Sequence, residues 1–367
     1  PFNGYRQWLQ KNHPEFYREL EAKGRDLLHH PQEVHFTHWA AERSIDFIRR
    51  KAGSGPFFCC MSVFDPHNPY EDYPLSMLEH VDESRMAERL SDPRRNRPAG
   101  IERERAHSYL GAFDSMSAED IRKMRLGYFA SIALIDIEVG RVLAALEEQG
   151  ASENTLVIFA SDHGDMIGDH DLLVKGAYFY DACSKVPFLM RWPARLAGGR
   201  RIGALVQPHD IAATVLAAAG LLDAETRGAM PTSADLLPVA QAEIESVRDY
   251  AVCAYRNSGI SDSRKPWDPP IHATMVHDGR YKLSVYHRTS GAPEGELYDM
   301  QGDPDEMDDL FGRTEAADVR RRLTDMLAGW LHAQELGWLG TRGGEQLPEP
   351  GQRLDNTLRS TGEGASS

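Results

Sequence analysis

The sequence predicts an α/β fold: a sheet flanked by helices, followed by a smaller antiparallel sheet with a helix of its own. Three observations carry this. Helical patterns alternate with short apolar runs through the first two hundred residues, as in a sheet with helices on its faces. The runs "FFCCMSVF" (57–64) and "TLVIFA" (155–160) are continuous, which is how strands covered on both faces read, and "VPFLMRWP" (186–193) reads as another strand, stopped by proline. Beyond about residue 250 the texture changes to short alternating segments, the pattern of half-buried strands.

Residues 1–30 are aromatic and charged, with short helical patterns. Over 34–51, Phe36, Trp39, Ile45 and Ile48 form one apolar stripe, which predicts an amphipathic helix punctuated by "GSGP". "FFCCMSVF" then runs into "DPHNPY", where two prolines force an irregular loop. Residues 71–116 are polar and rich in Arg and Pro; so long an excursion favours a lid or substrate-facing loop. Ser117 with Asp120 three residues on predicts an N-cap. From Ile121 to Leu146 the apolar residues keep a helical period for about eight turns, and Gly150 is placed to stop it. "PHDIAATVLAAAGL" (208–221) predicts a small-residue helix ending at Gly220. "AVCAY", "HATMVHDGRYKLSVYH" and "GELYDM" predict short strands with a hairpin turn at "HDG", and a helix is expected over 315–336. The organisation read from this is a main domain over 1–249, an α+β subdomain over 250–340, and a polar, disordered tail over 341–367.

The 367 residues, 41% of them apolar, suffice for a sizeable core. A net charge of −15 argues against a nucleic-acid partner and against attraction to acidic membranes. No apolar run approaches the roughly 18 residues of a membrane span. Cys59, Cys60, Cys183 and Cys253 fit neither a zinc spacing nor a disulfide framework, so a reducing, cytoplasmic setting is preferred. The chain starts "PFNGYRQWLQ", without an initiator Met or a signal peptide, so a processed chain or a fragment is expected, and an upstream targeting segment is left open. Assembly of identical copies is left open as well.

Ligands of α/β sheets bind beyond the carboxyl ends of the strands. One strand end delivers Asp65 and His67; another delivers Asp162, His163 and Asp165, in "ASDHGDMIGDH". A carboxylate and an imidazole at a strand's first turn can share a cation, with Gly164 letting the backbone pass close, although an Asp-His-Gly turn can also simply cap a strand. Lys175 is a lone lysine, usually a solvated charge, but its apolar neighbours suit a lysine held to meet an anion. His67, between two prolines, is rigidly presented for proton transfer or anion binding, if it is not an ordinary loop histidine. For His170 a loop-capping role is favoured over a place in the cleft.

The run "SDHGDMIGDHDLLVKGAYFYDACSKVPFLMRWP" resembles the sulfatase family of the alkaline-phosphatase superfamily, with its metal pair, Gly-rich turn, later Lys and Val-Pro strand. "FFCCMSVFDPHNPY", the long helix leading into "SDHGD", "DGRYKL" and "GELYDMQGDPDEMDDL" agree in order, over roughly residues 1–335. One departure is Ala213, where the family usually has Pro. The resemblance implies an alkaline-phosphatase-like sheet flanked by helices and hydrolysis of sulfate esters, with phosphonate or phosphate esters, or a non-catalytic binding protein, as alternatives. It implies that Asp162 and His163 ligate one divalent ion, calcium before manganese. It implies that Lys175 contacts a small anionic ester, and that His67 contacts the ester or protonates its leaving oxygen. Asp136 also matches a family position but reads as a helix-packing residue.

The family's nucleophile is a formylglycine made from Cys or Ser in Cys/Ser-x-Pro-x-Arg, on a helix after an N-terminal strand. None of the four cysteines sits in such a motif. Ser91, in "SDPRR", matches it but lies after "DPHNP", with Arg94 at a small-residue position and Pro98 where the helix should run. The expectation is therefore that the N-terminal strand and the nucleophile helix are missing from these residues, and that the chain is inactive alone.

Overall fold

The computed structural model describes residues 2–92, 97–108, 110–256, 270–287 and 294–341. In chain order it contains α1 (Phe2–Asn12), α2 (Pro14–Lys23), α3 (Phe36–Lys51), α4 (Ala99–Ala106), α5 (Ala118–Glu148), β1 (Val157–Ala160), α6 (Asp181–Ser184), β2 (Phe188–Arg191), α7 (Asp210–Ala218), α8 (Ala224–Ala229), α9 (Leu237–Ala240), β3 (Ala251–Arg256), β4 (His272–His277), β5 (Tyr281–His287), β6 (Glu294–Asp299) and α10 (Ala317–Thr341). The expected tail lies outside the described residues from 342 onward.

The long helix α5 starts where its sequence signals it. Ser117 Oγ accepts from the Asp120 backbone at 3.1 Å, and Asp120 Oδ2 accepts from the Ser117 backbone at 3.0 Å, a reciprocal cap. Gly150 takes the left-handed conformation just past the end, at φ 64°. One stripe of α5 packs Ala145 and Leu146 against Ile45 and Ile48 of α3, with Phe57 and Val157 joining from the following segments. Deeper in the same contact lies Glu138, fully excluded from solvent. Gln32 Nε2 and His38 Nδ1 stand 2.9 and 2.8 Å from its Oε1, and Arg141 Nη1 donates to Oε2 at 2.6 Å.

β1 pairs antiparallel with β2, Val157 opposite Arg191 and Ala160 opposite Phe188. β3, β4, β5 and β6 form an antiparallel meander in sequence order, with Gly279 at φ 92° in the expected hairpin. The period of two splits that sheet's side chains between two cores. Val252, Val276, Leu283 and Leu297 face Leu323 and Leu327 of α10. Ala273, Met275, Tyr286 and Tyr298 face Ile101 of α4 and the segment from Met166 to Tyr180.

Three sequence readings are corrected here. Residues 57–64 run extended without a ladder partner among the described residues, and Phe58 and Phe64 are 69% and 53% exposed. An apolar run reads as a buried strand only when neighbours cover it, and no described strand does. Cys59 and Cys60 are accordingly exposed. β1 is half-buried, for the same reason. Much of 71–116 is packed: Tyr73 and Met77 lie against Ala130 and Leu134 of α5, and Ile101 is completely buried. Residues 93–96 and 109 of that stretch lie outside the described residues.

Burial alone would raise the Glu138 carboxyl, but hydrogen bonds from His38, Gln32 and Arg141 outweigh it and hold it at about 2, against an ordinary 4.5. A carboxyl held below its unfolded value stabilises the fold above the unfolded value, and that contribution disappears as pH falls from about 4.5 through about 2. Glu138→Gln should therefore cost on the order of 3 kcal/mol at pH 7. The cost should shrink steadily below pH 4.5. Urea unfolding of both proteins across pH 2.5–7 checks this; a pH-independent difference would contradict it.

Candidate active site

Two loops meet where β1 ends and where the 57–64 segment ends. The first begins with Ser161 and Asp162. Asp162 Oδ1 accepts from the His163 backbone at 2.9 Å, and its side chain is 87% exposed. His163 Nδ1 lies 2.9 Å from the Gly164 carbonyl. A carbonyl only accepts, so Nδ1 carries the proton and the Nε2 lone pair faces outward. That Nε2 is 3.8 Å from Asp162 Oδ2. Gly164 is required by its neighbour across the chain: a Cβ there would stand 2.1 Å from the Ala182 carbonyl oxygen. Its N–H donates to Cys183 O at 2.9 Å, so this glycine serves a close main-chain approach.

The second loop presents His67. Its Nδ1 lies 2.7 Å from the Asn68 carbonyl, which by the same reasoning puts the proton on Nδ1. Nε2 is then an acceptor, and Lys175 Nζ donates to it. The structure thus brings the four sequence-chosen residues together in two pairs, His67 with Lys175 and Asp162 with His163.

Asp165, which the sequence placed at the strand end without a role, ties the loops together. It is 5% exposed. Its Oδ1 accepts from the Lys175 backbone at 2.9 Å, and its Oδ2 accepts from the Tyr70 hydroxyl at 2.8 Å. One buried carboxylate therefore fixes Lys175 and the segment that follows His67. Tyr70 in turn passes α5 at Gly127, where a Cβ would stand 1.8 Å from the Tyr70 carbonyl oxygen. No periodic signal pointed to Asp165, because residues 161–165 follow β1 without regular structure.

The turn between these residues is braced from the 87–97 segment. Arg125 Nη1 reaches Asp169 Oδ1 at 3.1 Å and its Nη2 donates to Ala87 O at 2.8 Å. The Leu90 backbone donates to Asp169 Oδ1 at 3.0 Å, and Arg97 Nη1 donates to His170 O at 2.7 Å. His170 itself is buried, stacked on Tyr180 with ring centres 4.0 Å apart, and holds the loop as a cap and not as a cleft residue. Ser91 Oγ is directed at Asp171 Oδ1, 3.5 Å away, and the helix that follows starts only at Ala99, after Pro98. Residues 93–96, which hold most of its motif, lie outside the described residues. Burial, with Asp165 beside it, pushes the Cys183 thiol far above the usual range, so this cysteine is a packing residue.

Family models match both parts of the chain: one described as Sulfatase over residues 4–221, and one described as N-sulphoglucosamine sulphohydrolase, C-terminal, over residues 168–332. The chain belongs to the sulfatase family. An arylsulfatase of Clostridium perfringens is 28% identical to it over 313 residues, 84% of this chain and 60% of that protein. A phosphonate monoester hydrolase structure from Agrobacterium radiobacter superposes with a TM-score of 0.68 at 25% identity, over 90% of this chain and 69% of that one. A structure solved with its substrate D-glucosamine-2-N,6-O-disulfate superposes with a TM-score of 0.66 at 20% identity, over 80% and 68% of the two chains. This sulfatase chain therefore has the alkaline-phosphatase-like fold expected of it, and it spans 60% of the curated arylsulfatase.

Sulfatases generally use a divalent metal. Among the described residues no three His, Cys, Asp or Glu side chains gather as a metal shell. Asp162 and His163 fit such an ion as a pair: a hard oxygen and an imidazole nitrogen converge, and the Gly164 carbonyl fixes the tautomer that leaves Nε2 available.

If Asp165 is the strut between the loops, removing its partners should loosen the sulfatase fold measurably. Tyr70→Phe, which leaves a buried carboxylate oxygen without its donor, should cost about 1–3 kcal/mol. Gly127→Ala should cost at least as much, because main chain and not a flexible tip must move. Chemical denaturation decides; wild-type midpoints for both variants would remove the strut.

Proposed function

We propose that this chain carries the ester-binding side of a sulfate ester hydrolase. The observation that supports this best is the contact between Lys175 Nζ and His67 Nε2 in a sulfatase-family chain. A lysine whose ammonium, among the described residues, meets an imidazole and no carboxylate within ion-pair reach is a cation kept ready for an anion. On arrival of an ester, Lys175 turns a donor from His67 to a non-bridging oxygen. His67 keeps its Nδ1 proton on the Asn68 carbonyl, so Nε2 is the position that takes up a proton and can pass it to the leaving oxygen. Asp162 and His163 would hold the divalent ion. That ion would supply Lewis-acid polarisation of the ester, and a formylglycine outside residues 1–367 would supply the attacking oxygen. Calcium is proposed for the sulfate ester reading. Hydrolysis of phosphonate esters with manganese is the second reading, supported by the 25% identity to a phosphonate monoester hydrolase over nine tenths of this chain.

The test uses the complete gene product with an aryl sulfate, an aryl phosphonate and each metal. Lys175→Ala and His67→Ala should each lower kcat/KM by on the order of 10²-fold with the melting temperature retained. Wild-type turnover in both variants would place the site elsewhere, and turnover of neither ester by the wild type would favour a binding protein. Asp162→Ala should lose most of its bound metal by elemental analysis; full occupancy would take Asp162 out of the site.

A further inference from the structure

Both ends of the loop that carries His67 meet one imidazole. His35 precedes α3 as its N-cap and is 3% exposed. Its Nδ1 accepts from the Thr37 backbone at 3.3 Å and stands 3.7 Å from Asp65 Oδ2, at the start of the loop. The Thr37 hydroxyl donates to that same carboxylate. Since Nδ1 accepts from a main-chain N–H, the ring proton is on Nε2, and Nε2 donates to the carbonyl of Asp72, at the loop's end, at 3.4 Å. His30 adds a second hold on that end: its backbone N and its Nδ1 each lie 3.3 Å from the Asp72 carboxylate.

We infer that His35 is a positioning residue for the reaction: its Nδ1 holds the Thr37 main chain, whose hydroxyl holds Asp65, and its Nε2 holds Asp72, so that it sets the spread of the loop and aims His67 Nε2 at Lys175. The inference rests on the reading that His67 and Lys175 handle the ester. Capping alone does not explain a histidine here, because Asn, Asp, Ser and Thr cap better. What a histidine adds is a second polar atom across the ring, and that atom is the one that reaches Asp72. Burial pushes the Asp65 carboxyl up and the His30 imidazole down, each in the direction that disfavours its charged form.

The two nitrogens can be separated by substitution. His35→Asn keeps an acceptor near the Nδ1 position, so α3 stays capped, but has nothing to offer Asp72. His35→Gln places an amide N–H near the Nε2 position and gives up the cap. The readouts are ¹⁵N NMR of the His67 ring, the melting temperature, and kcat and KM of the complete gene product on an aryl sulfate. His35→Asn should melt near wild type, lose the single Nδ1–H tautomer of His67, and lose about ten- to a hundredfold in kcat with a smaller change in KM. His35→Gln should melt lower yet keep the tautomer. A His35→Asn protein with wild-type His67 signals and kcat would reduce His35 to a helix cap and overturn the inference. Should His35→Asn not fold, His35→Gln decides alone, a retained tautomer supporting the inference and a lost one overturning it. If the wild type hydrolyses no ester, the functional reading fails while the NMR comparison still decides the role of His35.

Discussion

A single buried carboxylate organises the site. Asp165 accepts from the Lys175 backbone and from the Tyr70 hydroxyl, and so joins the loop that begins at the end of β1 to the loop that follows the extended 57–64 segment. Without that bridge Lys175 and His67 would each hang on its own loop, and two long side chains would carry the entropy of finding one another. With it, the contact between Nζ and Nε2 is made by segments already fastened. The arrangement illustrates why a charge can be worth burying: its oxygens are both filled, so what desolvation costs is returned as geometry that an apolar residue would not supply.

The second support comes from the C-terminal sheet. The Tyr286 hydroxyl donates to Ala177 O at 2.7 Å, and the Tyr180 hydroxyl donates to Glu296 Oε1 at 2.7 Å. Lys282 Nζ stands 2.6 Å from Asp181 Oδ1 and 2.7 Å from Glu306 Oε1, nearly sealed from water. These holds fall on both sides of the segment that follows Lys175. The meander is therefore a seat for the lysine loop as much as a subdomain, and its aromatic face, with Ile101 of α4, is the core under the site.

Elements whose signals are local were legible in the sequence. Ser117 and Asp120 announced the cap of α5, Gly150 its end, and "HDG" the β4–β5 hairpin, because in each case the chemistry that fixes the backbone lies within a few residues. The pairing of His67 with Lys175 was legible only through the order of motifs, since 108 positions separate them and no periodicity spans that distance. The 57–64 segment misled for a different reason. Its apolar run records what a strand needs around it, and burial belongs to the neighbours as much as to the run itself. The braces from Arg89, Leu90 and Arg97 were illegible because a charged, weakly periodic stretch looks the same whether its arginines meet water or buried carbonyls. His35 was overlooked because a histidine at a helix start carries no pattern of its own.

One helix runs under all of this. At about 1.5 Å per residue the 31 residues of α5 form a rod of roughly 46 Å. Along it, Arg125 grips the turn at Asp169, Gly127 admits the Tyr70 carbonyl, Glu138 takes the hydrogen bonds from Gln32 and His38, and Ala145 seats Ile45 and Ile48 of α3. A slide of the rod by a single residue would break every one of these at once. The segments that carry His67 and His35 are thus joined to one cooperative unit. Whatever loosens α5 therefore loosens the aim of His67 as well, although the two lie on different elements.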